Sequence, residues 1–314
     1  MKLLPVGRVI VIGSVSTNRM LRCPVLPSPG ETVLAETVLA EGADRGFGGR
    51  GADQAVAAAR MGAATHLVAK VGRDAEGEAA LADLHGAGVE TGAVFAHPDA
   101  PTGQTIVTVD PYGGNTVVAV PGANAQLTPD EVTAALTRLR LLPVDVVLTS
   151  NEVPAACIGA TAAALPAAGP SGGTRWLHAA APAGALPDAG PDGPRPLVVA
   201  NAVEARRLTG AADVTAAARA LADRTEGVVI TLGGDGALVA ADGRSSRLPA
   251  PAVRVVDTTG AGDVFCGALA AELARGADLH AAAATAVAAG AFAVTALGAR
   301  GALPRRTDLV LPEH

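Results

Sequence analysis

The chain has 314 residues, 49% of them hydrophobic and 17% charged, enough for a full-sized core and far from the composition of a disordered chain. Its 24 Lys and Arg against 30 Asp and Glu leave a net charge of -6, which argues against a general polyanion binder and against nucleic acid as a partner, but not against a small anion held locally. With aromatics at 2%, beside 38 Gly and 22 Pro, Ala, Val and Leu must fill the core and backbones must approach closely.

The first 15 residues carry an apolar run that Pro5, Gly7 and Arg8 break before any signal-peptide core, so 9–15 reads as a first strand. Residues 31–41 have the mixed polarity of a strand with one wet face. A helical pattern at 51–61, a strand at 65–71 and a helix at 75–85 follow. Residues 102–120 read as a hairpin around Pro111-Tyr112-Gly113-Gly114-Asn115. Next come a strand at 144–149, a helix at 154–165, Pro/Gly/Ala-rich surface loops at 166–174 and 182–196, and a strand at 228–232. A helix is expected at 264–275, and the uncharged, Ala-rich stretch 281–299 reads as a buried helix, too weakly apolar to span a membrane. Near-continuous apolar strands between helices predict one α/β body over 1–314, its mostly parallel sheet covered on both faces, with a small accessory sheet, a lid, from about 16–46 and 101–121. Cys23, Cys157 and Cys266 have no C-x-x-C spacing and are odd in number, which fits small buried residues in a reducing compartment, so the expected location is cytoplasmic.

The sharpest chemical signal is Val255-Val256-Asp257-Thr258-Thr259-Gly260-Ala261-Gly262-Asp263 ahead of a helix. Small residues opening a helix leave backbone N–H groups unpaired and convergent, an anion site suited to a phosphoryl group. Asp263 reads either as a first-turn acid that favours the helix dipole or as the general base that a hydroxyl nucleophile needs beside a phosphate cradle. A Walker loop is excluded, because only Lys2 and Lys70 occur and neither follows Gly. Gly46-Phe47-Gly48-Gly49-Arg50-Gly51 is a literal G-x-G-x-x-G, but Glu41-Gly42-Ala43-Asp44-Arg45 before it is no apolar strand, so its glycines point instead to close backbone approach to a polyhydroxy substrate.

Together, Gly48-Gly49-Arg50-Gly51-Ala52-Asp53-Gln54-Ala55 and the 257–263 turn resemble the two signatures of the PfkB family of carbohydrate kinases, most closely its ribokinase branch. Ordered matches at Gly13-Ser14, Pro29-Gly30-Glu31-Thr32, Gly122-Ala123-Asn124-Ala125, Asn201-Ala202-Val203-Glu204, Thr231-Leu232-Gly233 and Gly298-Ala299 extend the resemblance over nearly the whole chain. It implies a ribokinase-like three-layer α/β/α sandwich with a small β lid, transfer of the γ-phosphoryl of ATP to a primary sugar hydroxyl, and a homodimer formed through the lid. It further implies Asp263 as base, N–H groups of Gly260, Ala261 and Gly262 as phosphoryl stabilisers, and Asn201 and Glu204 organising Mg²⁺. Thr231, Gly233 and Gly236 would receive ATP, and Asp257, Thr259, Ala293, Ala296 and Gly298 would form a K⁺ site.

On the sugar side Gly49 and Glu152 fit the family pattern, whereas Ser16 and Asn18 stand where an Asn and an Asp are usual, and Arg50 and Asp53 where a Lys and an Asn are usual. Such exchanges alter which hydroxyl donors a buried site accepts. D-ribose leads as substrate, with a nucleoside or a fructose- or tagatose-type sugar as alternatives and a non-catalytic sensor as a rival of another class. Val287 stands where relatives offer the nucleotide a polar group, and apolar contact with adenine explains it. The six His residues lack metal-ligand spacing, Trp176 reads as packing, and Arg305-Arg306 as a solvated patch.

Overall fold

The computed structural model of the chain describes residues 6–38, 46–112, 115–166, 173–180, 185–187 and 193–310. Residues 39–45 of the expected lid, Gly113 and Gly114 of its turn and most of the two Pro/Gly/Ala-rich loops lie outside these.

The chain opens with β1 (Val9–Ile12), then β2 (Ser16–Arg22), β3 (Glu36–Val38) and β4 (Gly46–Gly48). There follow α1 (Arg50–Arg60), β5 (Thr65–Gly72), α2 (Ala75–Gly86), β6 (Val89–His97), β7 (Gly103–Val109) and β8 (Asn115–Val120). After α3 (Pro129–Leu139) come β9 (Val146–Ser150), α4 (Ala155–Ala164), β10 (Arg175–Ala179), β11 (Leu197–Asn201), α5 (Ala202–Thr209) and α6 (Val214–Ala222). The chain ends with β12 (Gly227–Thr231), β13 (Ala237–Ala241), β14 (Arg244–Leu248), α7 (Ala261–Ala274) and α8 (Leu279–Ala293).

The main sheet runs β14-β13-β12-β11-β10-β9-β1-β5-β6, parallel from β12 to β6 and antiparallel at the β13–β14 edge. Strict alternation along the strands divides its two faces. Val9 and Val11 join the cluster packed on α1, α7 and α8, whereas Ile10 and Ile12 join the one packed on α3 and α4. Val198, Ala200, Val228 and Ile230 meet α5 and α6 on that second face. Helices therefore cover both faces, as near-continuous apolar strands require, and the architecture is the expected three-layer α/β/α sandwich with a mostly parallel sheet.

A second sheet, ordered β3-β2-β7-β8 with β4 also on β2, contains the expected 102–120 hairpin as the antiparallel pair β7–β8. Its β2 strand starts directly after β1, because Gly13-Ser14-Val15 turns the chain out of the main sheet rather than prolonging the first strand to residue 15. The 144–149 strand begins instead at Val146, since Asp145 binds Arg8 through its main-chain N at 2.8 Å and its guanidinium at 2.6 Å. The Ala-rich helix stops at Ala293, where Thr295 donates both its N–H and its hydroxyl to the Phe292 carbonyl. Trp176 is core, its indole N–H donating to Thr149 Oγ1 at 2.9 Å, and all three Cys are buried and free. Among the described residues no helix is long and apolar enough to cross a membrane.

Candidate active site

The order of the main sheet reverses at β1, where the chain first builds outward to β5 and β6 and then returns to β9 on the other side. Loops leaving such neighbouring parallel strands diverge and open a crevice at their carboxyl ends. Ser14 follows β1 and Glu152 follows β9, and Ser14 Oγ donates across this crevice to Glu152 Oε2. The same oxygen accepts the N–H of Arg50 at 3.1 Å, at the start of the helix that Gly49 caps. Ser16 Oγ donates to Asn18 Oδ1 at 3.2 Å, and the Asn18 side chain abuts Gly48. Ser16, Asn18, Gly49, Arg50 and Glu152 therefore meet along one rim between the two sheets.

Asp263 enters from α7. The turn before it depends on Gly260, which has φ 76° and whose missing Cβ would stand 2.6 Å from Ala299. Helix α7 lies so close to α1 that a Cβ on Gly267 would meet Ala57 at 2.6 Å, and this proximity lets Gln54 Nε2 donate to Asp263 Oδ1 at 2.9 Å. Arg50 Nε stands 3.8 Å from that oxygen, with its other nitrogens 2.7 Å from the Ala180 carbonyl and 4.0 Å from Glu204 Oε1. Burial pushes the Asp263 carboxyl up to about 7; Arg50 and the Gln54 hydrogen bond oppose that rise, and the charges of Asp53 and Glu152 add to it. A base poised near neutrality suits proton abstraction from an alcohol. Of the three N–H groups expected at this helix start, those of Gly260 and Gly262 have no partner among the described residues, while that of Ala261 reaches the Thr258 carbonyl at 3.3 Å.

Thr231, Gly233, Gly236, Gly262 and Val287 line an apolar cavity beside α7 and α8. Thr231 and Gly262 also line a smaller cavity with Arg50, Gln54, Asn201, Glu204 and Asp263, so an apolar chamber leads to the Asp263 carboxylate. Asn201 caps α5, its Oδ1 accepting from the N–H groups of Val203 and Glu204 at 2.9 and 2.8 Å, while Glu204 Oε2 accepts the Asn201 N–H at 2.8 Å. Oε1 of Glu204 is left facing Arg50. Asp257 Oδ1 accepts from Thr259 N and Oγ1, and its Oδ2 from Gly298 N at 2.8 Å. Burial works against this carboxyl's charge, but the three hydrogen bonds outweigh it and hold the group below the ordinary carboxylate value. The N–H groups of Val256 and Asp257 both reach the Val294 carbonyl, which with the Gly298–Asp257 bond ties the loop after Ala293, the last residue of α8, to the 257–259 turn.

Asp53 is buried, and its Oδ1 accepts from Arg300 Nε at 2.6 Å; the same guanidinium also binds Asp83 of α2. Burial raises the Asp53 pKa and Arg300 opposes the rise. Ser14, Gln54 and Arg300 were not among the expected site residues. Gln54 lies one helical turn beyond Arg50 inside a quoted motif, and Arg300 directly follows Gly298-Ala299, so both positions were in view without the partner that gives them meaning.

A model of the pfkB family carbohydrate kinases matches residues 7–306. The chain is 33% identical over 311 residues to the ribokinase of Bacillus subtilis strain 168, covering 96% of this chain and 97% of that one. It is 32% identical to the ribokinase of Staphylococcus aureus strain COL, covering 87% and 88% respectively. The solved structure of Arabidopsis thaliana ribokinase complexed with ribose and ATP superposes with a TM-score of 0.78 at 25% identity, over 97% of each chain.

Proposed function

The chain belongs to the pfkB family of carbohydrate kinases, and from that premise we propose that this ATP-dependent sugar kinase phosphorylates the primary hydroxyl of D-ribose, with Asp263 as general base. The observation that carries the reading is the Asp263 carboxylate, its side chain 14% exposed, at a helix start with two open N–H groups beside it.

Because Gln54 occupies Oδ1, Oδ2 is the oxygen that takes the proton as the sugar oxygen attacks the γ-phosphorus in line and the bond to the departing ADP breaks. The N–H groups of Gly260 and Gly262 stabilise the negative charge on the transferring phosphoryl. Arg50, between Asp263 and Glu204, bridges the acceptor side and the phosphate side and favours the ionised form of the base against the effect of burial. The apolar chamber over Val287 takes the adenine by shape. Asn201 and Glu204 fit Mg²⁺ held through water, because Glu204 Oε1 is a hard oxygen outside the capping box; the ion supplies neutralisation of phosphate charge. The Asp257, Thr259, Ala293, Ala296 and Gly298 cluster fits K⁺ resting mainly on backbone carbonyls, since both Asp257 oxygens already accept hydrogen bonds. Closure of the second sheet, which carries Ser16 and Asn18, over the bound sugar excludes water from the transfer.

The test is a coupled ADP-release assay over pentoses, hexoses and nucleosides with Mg²⁺ and ATP, with and without K⁺. The reading predicts K⁺-stimulated turnover on D-ribose above every other compound. Preferred turnover of a nucleoside or hexose would replace the substrate while keeping the chemistry.

A further inference from the structure

The chain passes between the two sheets four times, leaving the main sheet after β1 and after β6 and returning before α1 and after β8. All four crossings meet around Val15. At the first return, a Cβ on Gly49 would stand 2.8 Å from the Ser14 carbonyl oxygen and 3.0 Å from Ser16 N. At the second exit, one on Gly103 would stand 2.9 Å from the Val15 carbonyl oxygen and 3.0 Å from that of Pro121. The side chain that fastens these strands of backbone is Asn124, 4% exposed. Its Oδ1 accepts the Val15 N–H at 2.8 Å, and its Nδ2 donates to the carbonyls of Val15 at 2.7 Å and Pro121 at 3.0 Å. The neighbouring Ala123 N–H binds the Pro101 carbonyl at 2.8 Å, which ties in the second exit as well.

An amide spends both of its donors and its acceptor here, and exchanging its O and N would set like groups against each other at all three bonds, so the orientation is unique. Val15 stands between Ser14, whose Oγ donates to Glu152 of the body, and Ser16, whose Oγ donates to Asn18 of the second sheet. We propose that Asn124 is a positioning residue for sugar binding, fixing the second sheet to the body at the point where the chain crosses, so that the sheet meets the sugar in one position. The inference rests on the sugar-kinase reading above and gives the Gly122-Ala123-Asn124-Ala125 motif a role that the transfer chemistry leaves unassigned. If this fastening is loosened, the closed arrangement becomes a smaller fraction of the sugar-bound enzyme, and apparent sugar affinity falls by that fraction. Water then reaches the γ-phosphorus in place of the sugar hydroxyl. Its oxygen forms the new bond, the bond to ADP breaks, its proton passes to Asp263, and the products are ADP and inorganic phosphate.

The test measures kcat, the KM for sugar and for ATP, and the sugar phosphate formed per ADP released, in the wild type, Asn124→Ala and Gly103→Ala, using the sugar that the wild type turns over fastest. Asn124→Ala removes all three bonds, and Gly103→Ala sets a methyl group 2.3 Å from Nδ2, so the same fastening is disturbed from a different crossing. Both variants are expected to raise the sugar KM by roughly 10-fold or more and to lower the sugar phosphate per ADP from about one to below about one half. The ATP KM stays within about twofold, because neither Val15 nor Pro121 lines the cavities beside α7. A merely structural amide would lower the yield of folded enzyme and leave both the sugar KM and the coupling unmoved. Gly103→Ala decides the matter if Asn124→Ala does not fold. An unchanged sugar KM with full coupling in a folded variant, or an equal rise in both KM values, would overturn the inference while leaving the kinase reading intact. Absence of turnover on every sugar by the wild type would overturn both.

Discussion

A carboxyl that burial pushes up to about 7 is ionised over only part of the range in which proteins are assayed, so pH reports directly on Asp263. As the base it works in its charged form. For the free enzyme, kcat/KM is expected to climb through pH of about 7 to a plateau, falling about tenfold per unit on the acid side. Gln54 donates to the charged form and holds that limb down, so Gln54→Leu moves the limb to higher pH, whereas an unmoved limb with lower kcat would make Gln54 a packing residue only. Asp263, Gly260, Asn201 and Glu204 were legible as candidates through local motifs that resemble those of the family, and the structure brings Asp263, Asn201 and Glu204 to one cavity. Gln54 and Arg300 were not, because their partners lie 209 and 247 residues away in the chain and only folding makes the pairs.

At the scale of elements, the site depends on how closely α1 and α7 pack, since one carries Arg50 and Gln54 and the other Asp263. Gly267 sets that distance, with Ala57 and the Gln54 carbonyl where its Cβ would be. Gly267→Leu is expected to cost about 1–3 kcal/mol in urea unfolding and to lower kcat more than sugar affinity, as the base is carried away from its donors. Retention of both stability and kcat would show that the interface yields without moving the site. Elements with clean periodicity, such as α1, β5 and α2, stand close to where their pattern places them. Strand β10 does not announce itself, because it lies between two Pro/Gly/Ala-rich stretches, and its buried Trp176 and His178 make sense only beside β9. The end of α8 was hidden because Val294, Ala296 and Leu297 carry the uncharged, apolar composition past Ala293, where a side-chain hydroxyl rather than a helix breaker stops the helix.

For the whole molecule, the proposed closure and the proposed assembly both rest on the second sheet. On the edge strand β8, Val118 and Val120 on one face are 58% and 45% exposed and Val117 on the other 58%, apolar surface that a second copy of the chain would cover. Light scattering is expected to give a dimer mass that Val118→Glu converts to the monomer; a wild-type monomer would remove the lid-to-lid contact from the account. Chelation of divalent ions is expected to end turnover, with recovery on adding Mg²⁺, and persistence of turnover in chelator would place phosphate neutralisation on Arg50 and the α7 turn alone. The central claim joins one carboxylate to one reaction, so the most direct measurement is D-ribose phosphorylation by the wild type beside Asp263→Asn, with sugar binding followed by calorimetry. The account predicts product in the wild type, a loss of about 10²- to 10⁴-fold in kcat in the variant, and ribose affinity within a few fold. Wild-type rates in Asp263→Asn would contradict it.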